Sequence, residues 1–320
     1  MHNILIIGAG QLGSRHLQGT LLSKNELNIT VVDPSQESLN IAQERADQVQ
    51  YGNTNSTVSY TKHIPKHESI DVCIIATAAQ VRAKVTEQLL LMNQVKHIIF
   101  EKVLFQKLVE YTEVTQLLSD SQTEGWVNCP RRLFPTYTAL KQYLDVSKPI
   151  HMTVRGHAWG MACNSVHFLD VFAYLVDNSA LELTESKLDP ELIESKRAGF
   201  YETTGQLNFI AGKHSLMIES GRSNTPEVMV SIENGQAKYV VNEVGGTWTK
   251  SLDEDEEQFT HTPLFQSQLT GGNVDELLAS NHCGLTPFGQ SCELHIPFIT
   301  ALLTHMSAVL NKKLDVCPIT

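Results

Sequence analysis

The segment Ile4-Leu5-Ile6-Ile7-Gly8-Ala9-Gly10-Gln11-Leu12-Gly13 admits few folds. An apolar strand feeds a G-x-G-x-x-G turn at Gly8, Gly10 and Gly13, and a second apolar run, 29–32, ends at Asp33, twenty residues past Gly13. Strand, glycine turn, helix, strand and terminal acid in that order make a dinucleotide site. Missing side chains let the backbone turn sharply, approach a pyrophosphate and pack the following helix on the strand. The helix N-terminus, at Gln11 and Leu12, turns its free N–H groups to the phosphates. Asp33 is placed to accept from a ribose 2′-hydroxyl and to repel a 2′-phosphate, which favours NAD while leaving NADP open. The plainer alternative is a strand-turn-helix whose glycines serve packing alone.

At 320 residues the chain exceeds the ~250–300 at which one core stops growing, so two domains are expected, 1–122 and 123–320. The formal net charge of −11 argues against a nucleic-acid partner, which calls for a basic face. The chain enters its first strand almost at once, leaving no room for a signal peptide, and no run of about 18 apolar residues offers a membrane span. A cytoplasmic protein acting on a small molecule is the expectation. Its six cysteines (Cys73, Cys129, Cys163, Cys283, Cys292 and Cys317) form no C-x-x-C pair and read as reduced thiols, mostly in the core.

Strand-like runs at 3–7, 29–32, 71–76 and 97–100 alternate with helix-like runs at 12–23, 36–46 and 80–92, the pattern of a doubly wound parallel sheet. The polar stretch 54–66 suits a short strand or surface connection, and 104–119 a further helix. A last strand at 125–129 and a helix over 131–144 open the second unit. There, β-patterned runs at 151–157, 205–210, 215–219, 227–233 and 237–242 predict a mostly antiparallel sheet, interrupted by a helix over 164–176 and closed by one over 292–310. The acidic run 253–257 reads as a solvated loop or helix start. The fold class is α/β, a Rossmann sheet followed by an α+β domain.

In a doubly wound sheet, ligands sit outside the carboxyl ends of the strands. Two runs end there. One reaches Thr77 and Ala78, whose small side chains let the backbone lie against a ribose; the other delivers Glu101 and Lys102, and an ammonium so placed stabilises a developing oxyanion. In the second unit His167 and Asp170 are three apart on a helix, so the carboxylate either orients the imidazole or caps a turn. Such a histidine suits removal of a hydroxyl proton. Cys163, His167 and Asp170 would also suit zinc, but no fourth ligand is apparent, and no metal is expected. Trp159 is a candidate to stack on a flat face of a substrate, Asn164 to hydrogen-bond it, and Arg131, Arg132 or His157 to hold a carboxylate or phosphate.

With these residues in place the chain resembles the Gfo/Idh/MocA oxidoreductases. The marks run from the glycine turn continuing into Ser14-Arg15-His16, through Thr77, Glu101-Lys102 and the Asn128 to Arg132 strand exit, to His167 and Asp170. The resemblance implies a nucleotide-binding domain, a second domain whose sheet forms oligomer contacts in a dimer or tetramer, and sugars, cyclitols or their derivatives as substrates. Lys102 matches the lysine of the family's Glu-Lys-Pro motif and His167 its catalytic histidine. Three positions depart: Val103 stands for proline, Cys163 for a frequent aspartate and Arg82 for a frequent histidine. The run 163–170 with the terminal Cys317-Pro318-Ile319-Thr320 is similar to a branch associated with bacterial surface-sugar pathways. The implied activity is NAD-dependent hydride transfer at a hydroxyl carbon. Two alternatives stay open: internally recycled NAD serving epimerisation, dehydration or glycoside cleavage, and a noncatalytic NAD-linked sensor.

Overall fold

The computed structural model describes residues 1–320 except 67, 196, 254, 261 and 263. It divides into two compact units: Met1–Phe105 with Val109–Pro130 and Leu264–Gly289, and Gln106–Leu108 with Arg131–Pro263 and Gln290–Thr320. A single cut between 122 and 123 misses this interleaving, because 264–289 return to the first unit.

The first unit runs β1 (His2–Ile7), α1 (Gln11–Thr20), β2 (Leu27–Val32), α2 (Gln36–Ala46), β3 (Thr57–Thr61), β4 (Ser69–Ile75), α3 (Ala79–Met92), β5 (Gln94–Glu101), α4 (Leu108–Asp120) and β6 (Glu124–Asn128). The strands β3-β2-β1-β4-β5-β6 are all parallel. Val72, Cys73, Ile74 and Ile75, like Ile98, Ile99 and Phe100, are buried without interruption, as strands covered on both faces must be. In register, Ile7 lies opposite both Val32 and Ile75, Ile75 opposite Phe100, and Glu101 opposite Asn128. Gly8, Asp33, Ala76 and Lys102 therefore leave the sheet along one edge. Helix α4 begins four residues later than the sequence pattern predicts, because the carbonyls of Val103, Leu104 and Phe105 are taken by the side chains of Arg82 and Tyr111.

The second unit adds α5 (Pro135–Tyr143), β7 (Ile150–His157), α6 (Met161–Val176), β8 (Glu182–Leu188), β9 (Ile193–Glu194), β10 (Tyr201–Glu202), β11 (Gly205–Ala211), β12 (His214–Gly221), β13 (Glu227–Asn234), β14 (Ala237–Asn242), β15 (Thr247–Leu252) and β16 (Asp255–Thr260). Its eight-stranded sheet, β16-β15-β14-β13-β7-β12-β11-β8, is antiparallel except for the β7/β12 pair. Helix α6 packs on β7 and β12 and is buried nearly all round, the mark of a core helix. The helix expected over 131–144 is split: a 3-10 turn at Pro130–Leu133 is followed by extended Phe134, and Pro135 opens α5. A residue before proline is pushed out of the helical region. Asp255, Glu256 and Glu257 stand in edge strand β16, not in a loop or helix start, while Glu254 lies outside the described residues.

The chain then returns to the first unit with α7 (Gln266–Ser280) and the two-residue β17 (Thr286–Pro287), which pairs antiparallel with β6. Helix α7 packs on α1, and a Cβ on Gly271 would lie 2.5 Å from the Gly19 carbonyl oxygen, so the helices touch backbone to backbone. Last comes α8 (Phe288–Val309), by length and composition apolar enough for a bilayer span, with 44% of its most apolar window buried in the protein. Glu293, His295 and Pro297 interrupt its apolar residues, so the helix holds no unbroken run of 18.

Candidate active site

At the sheet's carboxyl edge the glycine turn is built as the sequence predicts. Gly8 adopts φ +99°, and its N–H donates to Val32 O at 2.8 Å. A Cβ on Gly13 would lie 1.7 Å from Gly8 O, so its absence is what seats α1 on β1. Gly10, Gln11 and Leu12 are exposed, and the α1 N-terminus has no side-chain cap. The Asp33 carboxylate accepts from Ala9 N at 2.8 Å and from Ser35 N at 2.9 Å. One bond per oxygen leaves further lone pairs for hydroxyls. Thr77 is partly exposed and Ala78 exposed at the end of β4. The Thr77 hydroxyl oxygen itself is buried with no hydrogen-bond partner among the described residues.

Glu101 closes β5 inside a polar network. His16 from α1 lies 2.8 Å from its Oε1, Asn128 from β6 donates to the same oxygen at 2.5 Å, and the other His16 nitrogen meets Thr270 of α7 at 3.0 Å. Burial alone would push the Glu101 carboxyl up. The hydrogen bond and charge of His16, the Asn128 amide and the Arg82 charge together hold it below the ordinary carboxylate value. Arg82, in the first turns of α3, is 2% exposed and reaches the carbonyls of Thr77 (2.5 Å), Glu101 (2.6 Å), Leu104 (2.8 Å) and Val103. Burial draws its guanidinium down to about 10, against the opposing charges of Glu101 and Tyr111. Lys102, partly exposed, follows this network, and its peptide bond to Val103 is cis.

In the second unit Gly160, at φ +72°, starts α6, and Glu202 of β10 caps it by accepting from Ala162 N at 2.7 Å. Asn164 Nδ2 donates to Trp159 O at 2.7 Å. Trp159 is 7% exposed and meets Phe168 edge-on with ring centroids 5.5 Å apart. His167 is 8% exposed, one turn beyond Cys163 and Asn164. Asp170 is fully buried, and both its oxygens receive Arg132, at 2.7 and 2.8 Å. Arg131 stacks 4.8 Å over the Phe168 ring and donates to Glu243 at 3.1 Å, while Tyr137 donates to the other Glu243 oxygen at 2.5 Å. The His157 ring lies against Gly221. Among the described residues no three His, Cys, Asp or Glu side chains gather as a metal cluster.

Residues 2–128 match the Gfo/Idh/MocA family model, described as an oxidoreductase family with an NAD-binding Rossmann fold. This match covers the NAD-binding domain of the chain, which is similar to that of the Gfo/Idh/MocA oxidoreductases. No curated protein matches by sequence. Solved structures share the fold. An oxidoreductase from Agrobacterium radiobacter, in complex with NAD+, L-tartaric acid and magnesium, is 12% identical over 93% of this chain and 94% of its own, with a TM-score of 0.69. A UDP-N-acetylglucosamine 3-dehydrogenase from Acidithiobacillus ferrooxidans is 13% identical over 99% and 98%, at 0.65. A 3-ketoreductase from Actinomadura kijaniata, in complex with NADP, is 12% identical over 95% and 97%, at 0.68.

A dinucleotide fits the residues of the first unit. A Cβ added at Gly10 would meet nothing within 4 Å, so the surface beside the uncapped α1 N-terminus is open where a pyrophosphate must approach. Of the positions named from sequence, Gly8, Gly10, Gln11, Leu12, Gly13, Asp33, Thr77, Ala78, Glu101 and Lys102 all belong to the first unit. Arg131, Trp159, Asn164, His167 and Asp170 belong to the second. Sequence reasoning noted Arg82 only as a departure, and His16 and Asn128 only as family marks; it passed over Thr270, Glu202 and Glu243. The last three sit in segments without a motif, and only the fold brings them to their partners.

Proposed function

We propose that the chain is an NAD-dependent oxidoreductase moving a hydride between nicotinamide and a hydroxyl carbon of a sugar, sugar acid or nucleotide sugar. The observation that carries this reading is the Glu101-Lys102 corner. It leaves the same sheet edge as the glycine turn, and Glu101 is tied to α1 through His16. Gly8, Gly10 and Gly13 with the N–H groups at Gln11 and Leu12 would hold the pyrophosphate, Asp33 the adenosine ribose, and Thr77 and Ala78 the nicotinamide half. A second negative charge beside Asp33 is repelled, which supports NAD over NADP.

A bound nicotinamide supplies the hydride acceptor. Lys102 stabilises the oxyanion that develops as the hydroxyl carbon is oxidised, and His167 takes the hydroxyl proton. Asn164 orients the substrate. Trp159 and Arg131 act at most as walls of its site: the indole is packed on Phe168, and the guanidinium is neutralised by Glu243. Asp170 serves Arg132, not the substrate, since its carboxylate is buried and bidentate. The sugar class is supported by the likeness to the UDP-N-acetylglucosamine 3-dehydrogenase. We further expect a dimer or tetramer; a monomer alone in sedimentation at micromolar concentration removes that expectation.

The test titrates NAD and NADP into wild type, Lys102→Ala and His167→Ala, then presents sugars, sugar acids and nucleotide sugars. NAD should bind all three proteins, and only wild type should reduce it. Absence of binding by wild type overturns the reading, and equal turnover in either variant removes that residue's role.

A further inference from the structure

Lys102 hangs from a segment whose backbone would be loose without help. Val103 lacks the ring by which proline restrains the residue before it. Glu101–Leu104 is neither strand nor helix beyond Glu101. One buried guanidinium grips that segment. From α3, Arg82 donates from one nitrogen to the carbonyls of Glu101, Val103 and Leu104 and from the other to that of Thr77. A planar fork of donors suits such a task, which a lysine's point charge serves less well. The same side chain thus grips the β4–α3 turn and the segment bearing the lysine.

We propose that Arg82 is the positioning residue of the site, coupling the backbone at Thr77 to that at Glu101–Leu104 so that Lys102 is presented in one orientation. Its action on Lys102 rests on the function proposed above; its hold on the two segments does not. The geometry separates it from a general core residue. Its bonds go to two loops at the ligand edge, whereas β1, β4 and β5 are joined to each other by their own ladders. Removing the fork should therefore free the loops and leave the strands intact.

The experiment compares wild type, Arg82→Gln and Arg82→Lys by hydrogen exchange and by the rate at which an amine reagent modifies Lys102, located by mass spectrometry, with and without NAD. In Arg82→Gln, exchange at 102–105 should rise by about tenfold or more while β1 and β4 amides stay protected. NAD should no longer shield Lys102 as it does in wild type, and Arg82→Lys should fall between the two. Unchanged exchange at 102–105, or an equal rise in β1 and β4, overturns the proposal. Should Arg82→Gln be insoluble, Arg82→Lys decides alone, and wild-type exchange and shielding in that variant overturn it. If NAD fails to shield Lys102 even in wild type, the lysine's role at the cofactor is what fails, and the exchange result still judges the clamp.

Discussion

The two corners that carry the candidate chemistry are fixed by different physics. In the first unit the Glu101-Lys102 corner is held by backbone: a glycine turn that admits no side chain at Gly13, and carbonyls gathered by Arg82. In the second, Asp170 on the apolar core helix is neutralised by Arg132 from the 3-10 turn, and Arg131 of the same turn by Glu243. A buried charge on a hydrophobic helix must be paired, so charged residues near a site are not thereby free for substrate. A steric requirement such as that at Gly13 is the kind of device a motif can announce.

The largest effect should come from breaking the second kind of support. Asp170→Ala leaves the Arg132 guanidinium buried without its carboxylate, a loss of about 3–5 kcal/mol. Urea unfolding with hydrogen exchange in α6 should report it, and Arg132→Met/Asp170→Leu should recover most of the loss. If the single variant is no less stable than wild type, charge pairing does not hold this corner. Gly13→Ala comes next. Its Cβ would meet the Gly8 carbonyl, a partner that cannot swing aside, so α1 must lift from β1. Overpacking of this kind costs about 1–3 kcal/mol, and NAD binding should be lost with it.

The same contrast shows how much of the molecule could be read beforehand. The parallel strands were legible because burial on both faces makes them continuous apolar runs, and the glycine turn because sterics dictate its residues. Helix α7 was not, since Gly271 and Gly272 lower helix propensity in the middle of 266–280. The fold uses Gly271 for the close approach to α1. Strands β8 and β16 were missed for a shared reason: they are the two edges of the eight-stranded sheet, and the charges that guard an edge against pairing make it resemble a loop. For the site, Gly8, Asp33, Thr77 and Lys102 stand at the carboxyl ends of the parallel strands, whereas the Arg132–Asp170 pair was not legible because its members are 38 residues apart in sequence.

Glu101→Gln tests the first corner by charge while keeping its shape. The loss should be smaller, about 1–2 kcal/mol, because the amide retains contacts to His16 and Asn128. Its signature is in pH. The Glu101 carboxyl is held below its ordinary value of 4.5 in the folded protein, so it contributes stability above that value, and the contribution is lost as pH falls through the folded pKa. The variant should therefore lack that part of the acid destabilisation, its stability curve approaching wild type at low pH. A constant gap at every pH means the carboxylate's charge is not what the network holds.

Gly10→Ala should have the smallest effect on folding and the most informative effect on binding. Gly10 has φ −66° and ψ −163°, a conformation open to alanine, and a Cβ there would touch nothing within 4 Å. Alanine is a poorer N-cap than glycine, but it also narrows the unfolded ensemble, and the two terms offset to within about 0.5 kcal/mol. The methyl group nevertheless occupies the open surface beside the uncapped N–H groups, where a pyrophosphate must come closest. Affinity for NAD should fall by about tenfold or more, some 1.4 kcal/mol, with the unfolding midpoint of the unliganded protein unchanged. Gly13→Ala and Gly10→Ala, three residues apart in one motif, would then divide it into a glycine for the fold and a glycine for the ligand. Equal NAD affinity in wild type and Gly10→Ala would mean that the phosphates lie elsewhere and the turn serves packing alone.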